Sequence, residues 1–251
     1  MMNECLKNLN RIEFVVTMAC TGRCIHCSEG GHAGCTDHID AQLAAESVRK
    51  ICAHYTITSL MTFGGEPLLY PDTVCAIHRT AAEIGIGNRQ VITNGFFSKD
   101  REKIAKVARD LADSGVNDLL LSADAFHQET IPLDPVRFFA GCAQKAGLPV
   151  RLSPAWLVSP EDDNPYNLRT RQILREFEDL GIPVGSGNVV FPAGSALKYL
   201  REYFDPDAPG SDPYEEDPRD LRTVSFAANG DVLNGNVYRT DIVEIMSAYR
   251  P

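Results

Sequence analysis

The sequence predicts an α/β fold: a partial, open (βα)6 TIM-like barrel with a small C-terminal β-hairpin plus helix extension. Three observations lead there. Short apolar runs alternate with helical patterns from about residue 12 to residue 204, which implies parallel strands with helices outside. Four of the helical patterns stop at a glycine, Gly85, Gly115, Gly147 and Gly181, spaced by about 30–34 residues, the length of one strand-plus-helix unit. Each cluster of unusual polar residues falls directly behind an apolar run, at the strand ends where barrel sites assemble.

Residues 1–11 form a short polar lead-in. The first strand runs from about Ile12 to Met18 and ends in Cys20-Thr21-Gly22-Arg23-Cys24-Ile25-His26-Cys27. A glycine- and histidine-containing loop follows to Asp40, a plausible N-cap for a helix with Ala44, Val48, Ile51 and Tyr55 on one face. The second strand, Ser59 to Phe63, enters Gly64-Gly65-Glu66-Pro67, and a helix from about Asp72 ends at Gly85. The third, Gln90 to Thr93, ends in Asn94-Gly95; Ser98 is expected to cap a helix with Ile104, Val107, Ala108 and Leu111 inward. The fourth, Asp118 to Ser122, precedes Ala123-Asp124-Ala125-Phe126-His127 and a helix from about Asp134. The fifth is about Pro149 to Ser153; Ile173, Phe177 and Leu180 mark the inward face of its helix. A sixth strand lies within Val184 to Phe191 and a last outer helix spans Ser195 to Phe204.

Six units end near residue 204, so the expected division is a barrel over 1–204 and an extension over 205–251. The extension opens with an acidic, proline-rich linker (205–220). Leu221 to Ala227, Asn229-Gly230 and Asp231-Val232-Leu233 then read as a hairpin, because Asn-Gly between apolar runs suits a tight turn. A helix from Asp241 to Tyr249 follows. These residues are expected to cap the open side of the barrel, covering the edge left by its last strand.

Bulk properties narrow the function classes. The 251 residues include 24 basic and 34 acidic side chains, a net charge of −10, which argues against a broad nucleic-acid surface. Arg169, Arg171 and Arg175 are read as an exposed helix face. No apolar run approaches the ~18 residues of a membrane span, and no basic-then-apolar N-terminal segment suggests a signal peptide, so the expected location is cytoplasmic, without a membrane partner. There the 8 cysteines stay reduced or bind metal. Cys52, Cys75 and Cys142 fall inside helices and read as packing residues, and no cysteine lies beyond Cys142.

Cys20, Cys24 and Cys27 are spaced to bind soft metal, as zinc or as an iron–sulfur cluster. Three thiolates can hold three irons of a four-iron cluster and leave the fourth iron open. The competing reading is a zinc-binding interaction module without catalysis, its site completed by His26, His32, Cys35 or His38. In Gly64-Gly65-Glu66-Pro67 the glycines allow close backbone approach and Glu66 is an acceptor for a cationic group; a plain strand-to-helix turn is the alternative. His127, beside Asp124, is a candidate proton donor or substrate contact.

The spacing Cys-x-x-x-Cys-x-x-Cys followed one strand later by Gly-Gly-Glu-Pro resembles the radical S-adenosylmethionine (radical SAM) superfamily over about residues 12–194. The resemblance implies a 4Fe–4S cluster on Cys20, Cys24 and Cys27 and S-adenosylmethionine as second cofactor. Reductive cleavage then yields a 5′-deoxyadenosyl radical that abstracts hydrogen from a substrate. His26 stands where the family usually has an aromatic residue. Gly64, Gly65 and Glu66 correspond to the element contacting the cofactor's amino group. Thr93, Asn94, Ser122 and Asp124 lie at strand ends that contact the cofactor, with capping as the alternative for Asn94 and Asp124. Arg151 and Ser153 share one strand face, where the arginine can pair with the cofactor's carboxylate or form a structural ion pair. Val189 falls near the adenine or in the core. The tail resembles the start of SPASM or twitch extensions but lacks their cysteines. The substrate expected is a peptide, with a small metabolite or a tRNA or cofactor precursor as alternatives, and the partner a reductant protein such as flavodoxin or ferredoxin.

Overall fold

The computed structural model describes residues 3–32, 34–205 and 213–251; the linker residues 206–212 lie outside these. Its main sheet is built in chain order from β1 (Arg11–Thr17), β2 (Ser59–Gly64), β3 (Asn88–Thr93), β4 (Asp118–Leu121) and β5 (Val150–Leu152), all parallel. The crossovers are α1 (Ala41–Cys52), α2 (Pro71–Ile84), α3 (Arg101–Asp113), and a short α4 (Ala125–Gln128) followed by α5 (Leu133–Lys145). Ala44, Val48 and Ile51 of α1 and Ile104, Val107, Ala108 and Leu111 of α3 are buried, as their spacing requires. Gly85, Gly115, Gly147 and Gly181 all have positive φ, the left-handed geometry that closes a helix. Asp40 caps α1 as expected, but Asp100, not Ser98, caps α3. The Asp100 carboxylate accepts from Glu102 N and Lys103 N, and Ser98 Oγ only accepts from Asp100 N.

The sixth unit is looser than its sequence suggests. After β5 the chain leaves the main sheet and forms β6 (Ala155–Trp156), which pairs in parallel with β7 (Asn188–Val189). A single bridge from Leu152 to Val184 joins this pair to the barrel's end. Between them lies α6 (Pro165–Arg175), where Arg171 is no free surface charge: it donates to the Pro160 and Asp162 carbonyl oxygens and to Asp163. The last outer helix is shorter than expected, α7 (Gly194–Tyr199) plus one 3-10 turn.

The tail returns to the other edge of the sheet. β8 (Thr223–Phe226) pairs in parallel with β1, so the edge it covers belongs to the first strand and not the last. The reason lies in the N-terminal lead-in, where Leu6 and Leu9 are buried and the Arg222 carbonyl oxygen accepts from Asn10 N and Arg11 N. β9 (Asp231–Val232) makes the expected hairpin, β10 (Gly235–Asn236) adds a further strand, and α8 (Ile242–Ala248) packs Ile242, Ile245 and Met246 inward. Asn3 fastens that helix by donating to the carbonyl oxygens of Met246 and Tyr249.

Phe226 on β8 is fully buried and stacks on Phe14 of β1, ring centroids 4.5 Å apart. Truncating such a ring costs about 3–5 kcal/mol. Phe226→Ala should therefore lower the unfolding midpoint of the whole chain in a single transition. An unchanged midpoint would show that the tail is not part of the barrel's core.

Candidate functional site

The site forms where β1 and β2 end. Gly65 N donates to Thr17 O and Glu66 N to Ala19 O, each at 2.8 Å, which lays the chain after β2 directly on the chain after β1. A Cβ on Gly64 or Gly65 would overlap the backbone of Thr17 or of Met18 and Ala19, and Gly64 has a φ of +134°. These two positions therefore need glycine. The contact sets Cys20, Cys24 and Cys27 around one cavity that Gly64, Gly65, Thr93 and Asn94 also line.

A second cavity adjoins it, bordered by Ser153, Val189, Val190 and Tyr214. His26, Ile92, Ser122 and His127 line both. The sequence thus named much of this wall. It missed Tyr214, which reaches in from the acidic linker and donates to Asn188 Oδ1, because nothing local to residue 214 marks it.

Three predicted cofactor contacts, Arg151, Asp124 and Glu66, line neither cavity. Arg151 donates through Nε and Nη2 to both oxygens of Asp118, at 2.8 Å each, so it forms the structural ion pair. The alternation placing Arg151 and Ser153 on one face is correct, but an inward acid on β4 captures the guanidinium below the mouth. The Asp124 carboxylate is fully enclosed: Oδ1 accepts from His127 N, and Oδ2 accepts from His127 Nδ1 at 2.8 Å and from Ala155 N at 2.9 Å. Burial would raise the Asp124 pKa, but the His127 charge and hydrogen bonds outweigh it and hold it at about 2. Asp124 thus orients His127, leaving Nε2 as the nitrogen without a hydrogen bond among the described residues. Burial would lower the His127 pKa; the Asp124 carboxylate outweighs this and raises it.

Glu66 is also fully buried. Oε1 accepts from Thr93 Oγ1 at 2.7 Å and Leu68 N at 2.9 Å, and Oε2 from Asn94 N at 2.9 Å. Burial pushes its pKa up to about 7 against those hydrogen bonds. A carboxylate has about four acceptor positions, so one remains on Oε2. Thr93 serves Glu66, and the Asn94 amide meets Cys20 Sγ.

Whether these residues fit a cluster and a nucleoside cofactor is tested by the donor set. Burial pushes the Cys20 thiol up to about 11 and raises Cys24 further, so a cation beside these two sulfurs would favour their ionisation. Among the described residues, the one set of three His, Cys, Asp or Glu ligand atoms within 4.8 Å of one another is His26, Asp124 and His127, not the three cysteines. A tetrahedral zinc ion draws its thiolates closer than that, whereas a cluster gives each its own iron. Of the candidate fourth ligands, His38 stacks on Tyr70, centroids 3.9 Å apart, while His32 Nε2 lies 3.3 Å from Cys27 Sγ. His26, held neutral by burial that lowers its pKa to about 4, has a buried Nδ1 with no partner among the described residues, a group a bound ligand can satisfy. The donors fit.

Fold and mouth together define a βα-barrel protein with a three-thiol metal loop beside a ligand cavity. Residues 14–146, just over half of the chain, match the model of the Radical SAM superfamily, and the chain belongs to that superfamily. Its cofactors are a 4Fe–4S cluster and S-adenosylmethionine. The chain is 31% identical over 117 residues to a GTP 3′,8-cyclase of Lactiplantibacillus plantarum, covering 46% of this chain and 33% of that protein. A GTP 3′,8-cyclase of Limosilactobacillus fermentum is 30% identical over 120 residues, 47% of this chain and 34% of that protein. The matches thus span about a third of these relatives' length. Among solved structures, Streptococcus suis SuiB bound to its precursor peptide SuiA superposes with a TM-score of 0.59 at 13% identity, covering 95% of this chain and 65% of that one. AnSMEcpe with bound S-adenosylmethionine gives 0.55 at 12% identity, covering 93% and 76%. No helix among the described residues is long and apolar enough to cross a membrane.

Gly65→Ala should leave the circular dichroism spectrum native while cutting S-adenosylmethionine affinity at least tenfold, because the added methyl displaces Ala19 and the loop beyond it. Arg151→Lys should keep that affinity within about twofold. Calorimetry on the reconstituted protein checks both.

Proposed function

We propose that the chain is a radical SAM enzyme in which Cys20, Cys24 and Cys27 hold three irons of the cluster and leave the fourth for the cofactor. The observation that carries this reading is the opening of all three thiols onto one cavity with Gly64 and Gly65. When bound, the cluster would supply one electron and the cofactor a carbon–sulfur bond whose reductive cleavage releases methionine and provides the radical chemistry for taking hydrogen from a substrate. The protein's own share is orientation and exclusion of water.

Gly64 and Gly65 would let the methionine end approach the main chain, the spare acceptor of Glu66 would accept a proton from its amino group, and the lone pair of that nitrogen would be left for the open iron. The Ser122 and Ser153 hydroxyls suit the carboxylate and ribose, and His26 and Val189 border the adenine end of the second cavity. His127, in the wall common to both cavities, is placed to exchange a proton with substrate through Nε2, its Nδ1 proton being held by Asp124.

The substrate class we propose is a peptide. Supporting it, the likeness to SuiB, whose structure carries a precursor peptide, extends through 95% of this chain. The GTP 3′,8-cyclase likeness covers less than half. A nucleotide or other small molecule is the second reading, favoured by those sequence relatives. A flavodoxin- or ferredoxin-type protein is the proposed reductant.

Anaerobic reconstitution should give about four irons per chain, the content of one cluster. Dithionite with S-adenosylmethionine should then release 5′-deoxyadenosine, read by mass spectrometry. Cys24→Ala should lose both, and an intact cluster in that variant would contradict the assignment. Glu66→Gln should keep the iron but weaken cofactor binding roughly ten- to a hundredfold, the worth of one charge-assisted hydrogen bond. Stimulation of 5′-deoxyadenosine release by GTP and not by candidate peptides would replace the peptide reading with the nucleotide one.

A further inference from the structure

The cysteine loop is gripped at both ends, and the second grip lies some 170 residues away in sequence. Ahead of Cys20 the grip is the glycine turn after β2, already described. Behind Cys27 it is the start of α7. Ser195 N donates to the Cys27 carbonyl oxygen at 2.8 Å, and the same oxygen accepts from Gly30 N at 3.3 Å. Gly194 has a φ of +50°, and a Cβ there would overlap the carbonyl oxygens of Cys27 and Ser28. Only glycine fits such a backbone conformation at so close an approach.

The helix side of this contact is the rigid side. Ala196 and Leu200 are fully buried in a second apolar cluster with Phe126, Ala155, Leu157 and Val190. Ile25, in the middle of the cysteine loop, packs against that cluster. Ser28, by contrast, is exposed. A group forced between Gly194 and Ser28 would therefore move the loop and not the helix.

Resting on the cluster assignment above, we propose that Gly194 and the Ser195 amide are positioning residues for the third iron ligand. They seat the Cys27 end of the loop as Gly65 seats the Cys20 end, and so set the geometry at the iron that Cys27 would hold. The chain that does this comes straight from the wall of the second cavity, which Val189, Val190 and Phe191 line three to five residues earlier. The looser sixth unit thus has a task at the metal loop as well as at the ligand.

The test is EPR of the reduced, reconstituted full chain, with iron release to a chelator measured alongside. Gly194→Ala should shift the g-values of the cluster and release iron about tenfold faster, while the circular dichroism spectrum stays native. Ser195→Pro removes the donor to Cys27 at a first-turn position where a helix tolerates proline, and should act in the same direction. Gly181→Ala is the control. Its φ of +63° carries similar backbone strain, but its Cβ would meet open space, so spectrum and rate should match the parent's. Parent-like g-values and iron release in Gly194→Ala overturn the proposal, as does an equal change in Gly181→Ala; where Gly194→Ala fails to fold, Ser195→Pro decides on the same readings. Failure of the parent protein to assemble any cluster overturns the assignment beneath it instead.

Discussion

The site depends on one contact: the main chain after β2 lies against the main chain after β1 with no room for a side chain between them. Gly65 and Glu66 donate to the carbonyl oxygens of Thr17 and Ala19, two residues that lead directly into the cysteine loop. Parallel pairing from Arg11↔Ser59 to Thr17↔Gly64 delivers both strand ends to the same level. A thiol-rich loop and a glycine turn, 40-odd residues apart in sequence, thereby become one cavity wall. The tail supports this from the opposite side of β1, since β8 pairs along Arg11 to Phe14 and fixes the strand that presents the thiols.

Around that wall the chain buries charge and satisfies it locally. Glu66 and Asp124 are each fully enclosed and hydrogen-bonded from neighbouring strand ends. Enclosure without such partners would be costly. The two environments separate the acids. Burial prevails at Glu66 and lifts its pKa to about 7, whereas His127 prevails at Asp124 and holds it near 2. Glu66 thus keeps one acceptor position unfilled, and Asp124 is already committed to an imidazole. In the ligand-free protein, the raised Glu66 pKa makes the folded state less favourable as pH rises from the ordinary carboxylate range through about 7, because the folded protein holds that proton more tightly than the unfolded chain.

Much of this was legible in the sequence because it is local. Three cysteines in eight residues, glycine stops behind apolar faces and an Asn-Gly turn each carry their reason within a few positions. What was not legible depends on pairing across the fold. Nothing near Arg151 says that Asp118 will stand beside it on β4, and nothing near Asp124 says that His127 and Ala155 N will close around its oxygens. The destination of the tail was misread for the same reason. Its apolar residues showed that it must cover an edge, but the choice of β1 is made by Leu6, Leu9 and the backbone at Asn10, far away in sequence. Splitting of the sixth strand into a separate two-stranded piece follows from Pro154 and the Gly185-Ser186-Gly187 stretch, which interrupt an otherwise strand-like run.

The central claim is that three thiolates hold the cluster and leave one iron for the cofactor. It is tested most directly by electron–nuclear double resonance of the reduced, reconstituted protein with S-adenosylmethionine carrying 15N in its amino group. The account predicts a hyperfine coupling from that nitrogen to the cluster, lost when unlabelled cofactor replaces the labelled one. An assembled cluster whose spectrum is unchanged by the cofactor, with no nitrogen coupling, would contradict it.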